Sequence, residues 1–121
     1  PPVIDESVVP CCIYTDPEIA CVGMSKDEAA EKGIAINVKK YPISANGKAS
    51  IETDERGFVK LITDSNGIIK GAQLVCPRAS DMISELAVAI SRKMHFSDIA
   101  GVIHPHPTVA ESIADTAELF F

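Results

Sequence analysis

The sequence predicts an α+β fold, an antiparallel β-sheet with helices packed on one side, and three observations carry that expectation. Two apolar runs rich in β-formers, GFVKLIT and IIKGAQLV, flank an Asn66-Gly67 pair and read as an antiparallel hairpin. Further extended segments lie before this hairpin. After it the period changes, and Met82, Ile83, Leu86, Ala87, Ile90 and Met94 recur at the spacing of one helix face. Strands grouped early and helices grouped late favour helices segregated onto one face of a sheet over an alternating parallel fold.

The elements follow in order. VVPCCIYT leads into the turn-forming pair Asp16-Pro17 and a second apolar stretch, EIACVGM, so two extended segments are expected. Ser25 stands three residues before Glu28 as in a capping box, and Gly33 sits where a helix stops, which makes SKDEAAEKG a short helix. In IAINVKKYP the residues Ile34, Ile36 and Val38 alternate with Ala35, Asn37 and Lys39, the period of a half-buried strand. ISANGKASIETDERG is polar and turn-rich and reads as a loop holding a short strand. In the hairpin, Asn66 and Gly67 are expected to supply the positive φ angles of a tight turn.

The amphipathic helix should run from Ser80 to about His95, with His95 as a cation at its C-terminus. Ser97 is expected to cap a short helical turn through Ala100. Thr108 should start a last helix on which Val109, Ile113, Ala117 and Phe120 share a face opposite Ser112, Asp115 and Glu118.

The chain has 121 residues, 46% hydrophobic and 23% charged, which suits one domain over 1–121 with a single core. Its formal charge of −6 offers no broad basic surface, so nucleic acid and anionic lipid are excluded as expected partners. No apolar run approaches the roughly 18–20 residues of a membrane span, and PPVIDES lacks the layout of a secretory signal, so a soluble intracellular domain is expected. A start on two prolines without methionine suggests a piece of a longer chain. Cys11, Cys12, Cys21 and Cys76 show neither a CxxC pair nor zinc-type spacing and read as buried thiols. A vicinal Cys11–Cys12 disulfide is disfavoured, because neighbours on a strand face opposite ways.

The stretch most suited to chemistry is His104-Pro105-His106-Pro107-Thr108-Val109-Ala110-Glu111. Imidazole titrates near neutrality, and a carboxylate bonded to its far nitrogen fixes the tautomer and stabilises the charged ring, so His106 with Glu111 is a candidate acid/base pair. The same Glu111 completes a capping box with Thr108, and two carboxylate oxygens can serve both roles. His104 and His106 could alternatively form a metal pair, although no third ligand stands nearby. Lys39, Lys40 and Lys48, like Asp81 and Glu85, read as solvated surface. The sequence has no GxGxxG, no P-loop, no GxSxG and no cysteine pair four residues apart. A base without a cofactor motif suggests part of a site.

Along nearly its whole length the chain resembles the carboxy-terminal dimerisation domain of the pyridine nucleotide-disulfide oxidoreductases. VVPCCIYTDPEIACVG resembles the opening strand, TDPE turn and VG of that domain, and YPISANGKA its proline-alanine-asparagine-basic stretch. GFVKLITD, IKGAQLV and HPHPTVAE follow in the family's order, with Cys76 standing where the family more often has glycine. The resemblance implies the dimerisation-domain fold, a homodimeric parent enzyme, and FAD and NAD held by two preceding domains that this chain lacks. No cofactor would then bind the fragment, which would be inactive alone.

It further implies that His106 is the base acting on the partner subunit's redox cysteine pair, that Glu111 orients it, and that the bond to Pro107 is cis. His106 and Pro107 would meet the partner's flavin region. His104 matches an additional histidine typical of lipoamide dehydrogenases, which favours an NAD-dependent dihydrolipoamide dehydrogenase as the parent. Its substrate would then be dihydrolipoamide on the lipoyl domain of a 2-oxo acid dehydrogenase complex or of the glycine cleavage system, in the cytoplasm or the mitochondrial matrix. The alternatives are the same domain of another disulfide reductase, such as glutathione reductase, and a non-catalytic dimerisation or binding module.

Overall fold

The computed structural model describes residues 2–51 and 56–121, without the side chains of residues 50 and 51. Its centre is a five-stranded antiparallel sheet in the order β1-β2-β5-β4-β3. The strands are β1 (Cys11–Ile13), β2 (Ile19–Gly23), β3 (Ile36–Pro42), β4 (Phe58–Asp64) and β5 (Ile69–Val75). The helices are α1 (Lys26–Glu31), α2 (Gly47–Ile51), α3 (Ala79–Ser91), α4 (Phe96–Ala100) and α5 (Glu111–Glu118).

Register decides which residues share a face. Cys12 pairs with Ala20, Ala20 with Leu74 and Leu74 with Val59, while Val22 pairs with Ala72 and Ala72 with Leu61. These side chains form the face that α3 and α5 cover. α3 lies over β2 and β5, and α5 over β3 and β4, each adding buried residues: Met82, Ile83, Leu86 and Ala89 from α3, Ile113 and Ala117 from α5. Cys76, at the end of β5, is fully buried in this core. The expected α+β fold, with helices packed against one face of an antiparallel sheet, is the observed one.

Several local expectations are corrected. The hairpin forms, but only Gly67 takes a positive φ, +81°, and Asn66 does not. The Asp64 carboxylate accepts the N–H groups of Asn66 and Ile68, and the Gly67 N–H reaches the Asp64 carbonyl. A single left-handed residue after an ordinary turn is therefore enough. A Cβ at Gly67 would also collide with the His95 ring.

The segment after Ile43 was expected to hold a strand. Instead Ile43–Ala45 is a 3₁₀ turn and Gly47–Ile51 the helix α2, because Asn46 caps it by accepting the Ala49 N–H at 2.9 Å. The rest of that stretch up to residue 55 lies outside the described residues. α3 ends at Ser91, short of His95, and Lys93 turns the chain with a φ of +53°. His95, not Ser97, caps α4: its Nδ1 accepts the Ser97 N–H, and the Asp98 carboxylate accepts the His95 N–H. A ring that accepts at Nδ1 is serving a helix N-terminus, so its expected role as a C-terminal cation fails.

Ser25 caps α1 as expected, accepting the Glu28 N–H at 3.1 Å. Ser112, expected on the polar face of the last helix, is buried, because its hydroxyl bonds back to the Val109 carbonyl and loses its need for water. Only Cys76 behaves as the buried thiol expected of all four cysteines. Cys12 is intermediate, and Cys11 and Cys21 are exposed, because β1 and β2 turn them to the face away from the helices. No helix among the described residues is long and apolar enough to cross a membrane.

Candidate active site

The HPHP segment runs between α4 and α5, and α5 fixes one end of it. Glu111 is the first residue of that helix, and one of its carboxylate oxygens accepts the Thr108 N–H at 2.9 Å. Both oxygens stand 3.0 Å from His106 Nδ1. The two contacts weighed for Glu111, to the His106 ring and to the Thr108 backbone, are thus made together. The capping box is only half formed, since the Thr108 hydroxyl donates to the Pro105 carbonyl at 2.7 Å instead of serving the helix. The bond between His106 and Pro107 is cis.

Proton placement follows from the partners. The Thr108 N–H holds the Glu111 carboxyl below the ordinary value, against a smaller opposing effect of burial, and the His106 ring adds to the lowering. An ionised carboxylate only accepts, so His106 Nδ1 carries a hydrogen and Nε2 of the neutral ring keeps its lone pair. The His106 side chain is 79% exposed, and its Nε2 bonds to no described residue. Held from behind and open in front, this imidazole can take a proton from a group brought to it from outside.

His104 is built differently. Its side chain is only 7% exposed, its Nε2 lies 3.0–3.1 Å from both oxygens of Glu85, and its Nδ1 lies 3.0 Å from the Val102 carbonyl. Both partners are acceptors, so both ring nitrogens donate. Burial lowers the His104 pKa, but the bonds to Glu85 and Val102 outweigh it, and the net shift is upward. A ring with both nitrogens so engaged has no lone pair for a metal, which removes the metal-pair reading of His104 and His106. Glu85, read from the sequence as surface, is its partner.

Asn46 was also missed. It is 4% exposed, and while its oxygen caps α2 its Nδ2 donates to the Thr108 carbonyl at 3.0 Å. It therefore ties the backbone beside Glu111 to the far edge of the sheet. Asparagine before Gly-Lys-Ala is a capping signal legible in the sequence, whereas its second bond spans 62 positions and is not. Residues 107–110 form one wall of a groove of about 480 Å³, whose other lining includes Lys48, Arg78, Asp81, Met82 and Glu85.

This geometry can be set beside known proteins. The model of the pyridine nucleotide-disulphide oxidoreductase dimerisation domain matches residues 9–117. The chain belongs to that family. Among curated proteins, it is 42% identical over 120 residues to the dihydrolipoyl dehydrogenase of Geobacillus stearothermophilus, covering 98% of this chain and 26% of that protein. It is 46% identical over 116 residues to the dihydrolipoyl dehydrogenase of Staphylococcus aureus, covering 95% of this chain and 25% of the relative. Among solved structures, LpdA from Mycobacterium tuberculosis superposes with a TM-score of 0.91 at 28% identity, covering 98% of this chain and 26% of that one. The chain thus spans about a quarter of the length of the relatives it matches.

Proposed function

We propose that this chain is, over residues 1–121, the interface domain of a dihydrolipoamide dehydrogenase, and that His106 is the acid/base group of its dithiol–disulfide exchange. The observation that carries this reading is the His106–Glu111 pair: Nδ1 held at 3.0 Å by an ionised carboxylate, with Nε2 bonded to no described residue. His106 removes a proton from a dihydrolipoamide thiol, and the resulting thiolate attacks the disulfide of the partner subunit's redox cysteine pair. Glu111 keeps the ring in the tautomer this requires and stabilises the imidazolium that forms.

The sequence lacks a dinucleotide-binding fingerprint, so FAD and NAD belong to other domains of the parent enzyme. When bound there, they carry the electrons from the reduced cysteine pair to the nicotinamide. This chain contributes the proton handling and the contact that brings two subunits together, with His106 and Pro107 meeting the partner's flavin region. Val102, Ile103 and Val88 are 55%, 95% and 56% exposed beside the Glu85–His104 bond, an apolar surface suited to a symmetric contact. The substrate is a lipoyl domain of a 2-oxo acid dehydrogenase complex or of the glycine cleavage system, and the compartment is the cytoplasm or mitochondrial matrix that holds such a complex.

The test is His106→Gln in the flavoprotein that carries this domain. Flavin absorbance should be retained while turnover of dihydrolipoamide falls by about 10²–10⁴-fold, the range of a positioned general base. Unchanged turnover would leave a dimerisation module without a catalytic part.

A further inference from the structure

β1 and β2 bring two cysteines into register on the open face of the sheet. Cys11 and Cys21 are direct cross-strand partners, and both are free and exposed. The row continues across the sheet through Gln73, Lys60 and Lys40, away from the side covered by α3 and α5. Cys21 also lines a depression of about 210 Å³ together with Lys60, Ile62 and Gln73, so a small molecule can reach its sulfur.

The backbone pattern fixes the spacing of this pair. The Cys76 N–H reaches the Glu18 carbonyl and the Met24 N–H reaches the Lys70 carbonyl, so even-numbered residues of β2 bond toward β5. Odd-numbered residues then bond toward β1, which makes Cys11 and Cys21 a hydrogen-bonded antiparallel pair with Cα atoms about 5.5 Å apart. Disulfides span Cα separations of about 4.4–6.8 Å, so this pair lies within reach, while the wider Cβ separation of a hydrogen-bonded pair strains the bond and makes it more easily reduced. Cys12, the chain neighbour of Cys11, points to the helix-covered face beside Ala20, and Cys76 is buried in the core. Partial burial first, and then the adjoining Cys11 thiol, push the Cys21 thiol up.

We propose that Cys11 and Cys21 form a reversible oxidation site, a dithiol that low-molecular-weight disulfides convert into a cross-strand disulfide stapling the edge strand β1 to β2. The Cys11 thiolate attacks one sulfur of the external disulfide, forming a mixed disulfide and releasing one thiolate. The Cys21 thiolate then attacks the Cys11 sulfur, forming the Cys11–Cys21 bond and releasing the second. The protein dithiol gives up two electrons to the external disulfide and two protons to solvent, and the two released thiolates take up two protons from solvent to leave as two thiols. An exposed bond of this kind belongs to the readily reduced class, so excess thiol restores the starting state. The inference stands independently of the role of His106.

The test is incubation of the purified protein with excess oxidised glutathione at mildly alkaline pH, followed by intact mass and cleavage after Glu18. That cut separates Cys11 and Cys12 from Cys21. The expected product is lighter than the reduced protein by two hydrogens, carries no glutathione, and yields one disulfide-linked pair of peptides that dithiothreitol separates. Cys12→Ser should give the same product, and Cys21→Ser should stop at glutathione bound to Cys11. Glutathione adducts persisting on the wild type, a Cys11–Cys12 bond, links between molecules, or four unreacted thiols would each overturn the proposal.

Discussion

Glu111 holds His106 Nδ1 with both carboxylate oxygens at 3.0 Å, while one of those oxygens also accepts the Thr108 N–H at 2.9 Å. One side chain therefore sets both the start of α5 and the tautomer of the imidazole. Its loss has two consequences that can be read separately. Glu111→Gln keeps an acceptor for the Thr108 N–H but removes the charge that stabilises the imidazolium. Turnover should drop, by less than on loss of the histidine, with only a small fall in the melting temperature near neutral pH from the lost charge. A fall in stability with normal turnover per folded site would assign Glu111 to the helix alone.

The same carboxylate makes stability depend on acid. Its folded pKa lies below 4.5, chiefly through the Thr108 N–H, so its contribution is fully present above the unfolded value and is lost as pH falls through the folded one. Thermal melts taken downward from pH 5 should show Glu111→Gln losing less stability than the wild type. Parallel curves would contradict the assignment.

His104 behaves in the opposite sense. Its folded pKa is raised above 6.5 despite burial, so the stabilisation it brings is present below the unfolded value and disappears as pH rises through the folded one. Imidazole proton NMR should show His104 titrating above 6.5 in the wild type, and Glu85→Gln should bring that titration down. An unchanged value would mean that Glu85 is not its partner in solution.

Asn46 serves two backbone groups from a buried position. Asn46→Ala removes a helix cap and strands the Thr108 carbonyl, a combined cost of about 2–4 kcal/mol. Asn46→Asp keeps the cap but places a carboxylate oxygen against the Thr108 carbonyl, so acceptor faces acceptor at a buried position. Urea unfolding should place both variants below the wild type, and an Asn46→Asp protein as stable as the wild type would remove the link to Thr108.

Thr63 makes the opposite prediction. Its fully buried hydroxyl has no partner among the described residues. Thr63→Val should be neutral or stabilising by up to about 1 kcal/mol, because the valine methyl needs no hydrogen bond. A clear loss of stability in urea would show that the hydroxyl is satisfied.

What the sequence revealed, and what it hid, follows the range of the interactions. Periodicity placed the hairpin, the apolar stripe of α3 and the cap at Ser25, because each is decided within a few residues. Glu111 lies five positions from His106, close enough for the pairing to be legible. Glu85 lies 19 positions from His104 and Asn46 lies 62 from Thr108, so only the packing of α3 and α2 against the HPHP segment brings them into play. Cys11 and Cys21 read as buried by residue type, but a strand sends alternate side chains to opposite faces and only the register shows which face is covered. His95 was misplaced because α3 ends early, turning an expected helix end into the cap of α4.

The central claim is that His106 handles the proton of the dithiol, and pH dependence tests it most directly. In the parent flavoprotein, the rate at which dihydrolipoamide reduces the enzyme should be measured across pH for wild type and His106→Gln. The account predicts that the variant is slower than the wild type by about 10²–10⁴-fold throughout the neutral range. Identical profiles and rates in the two proteins would contradict it.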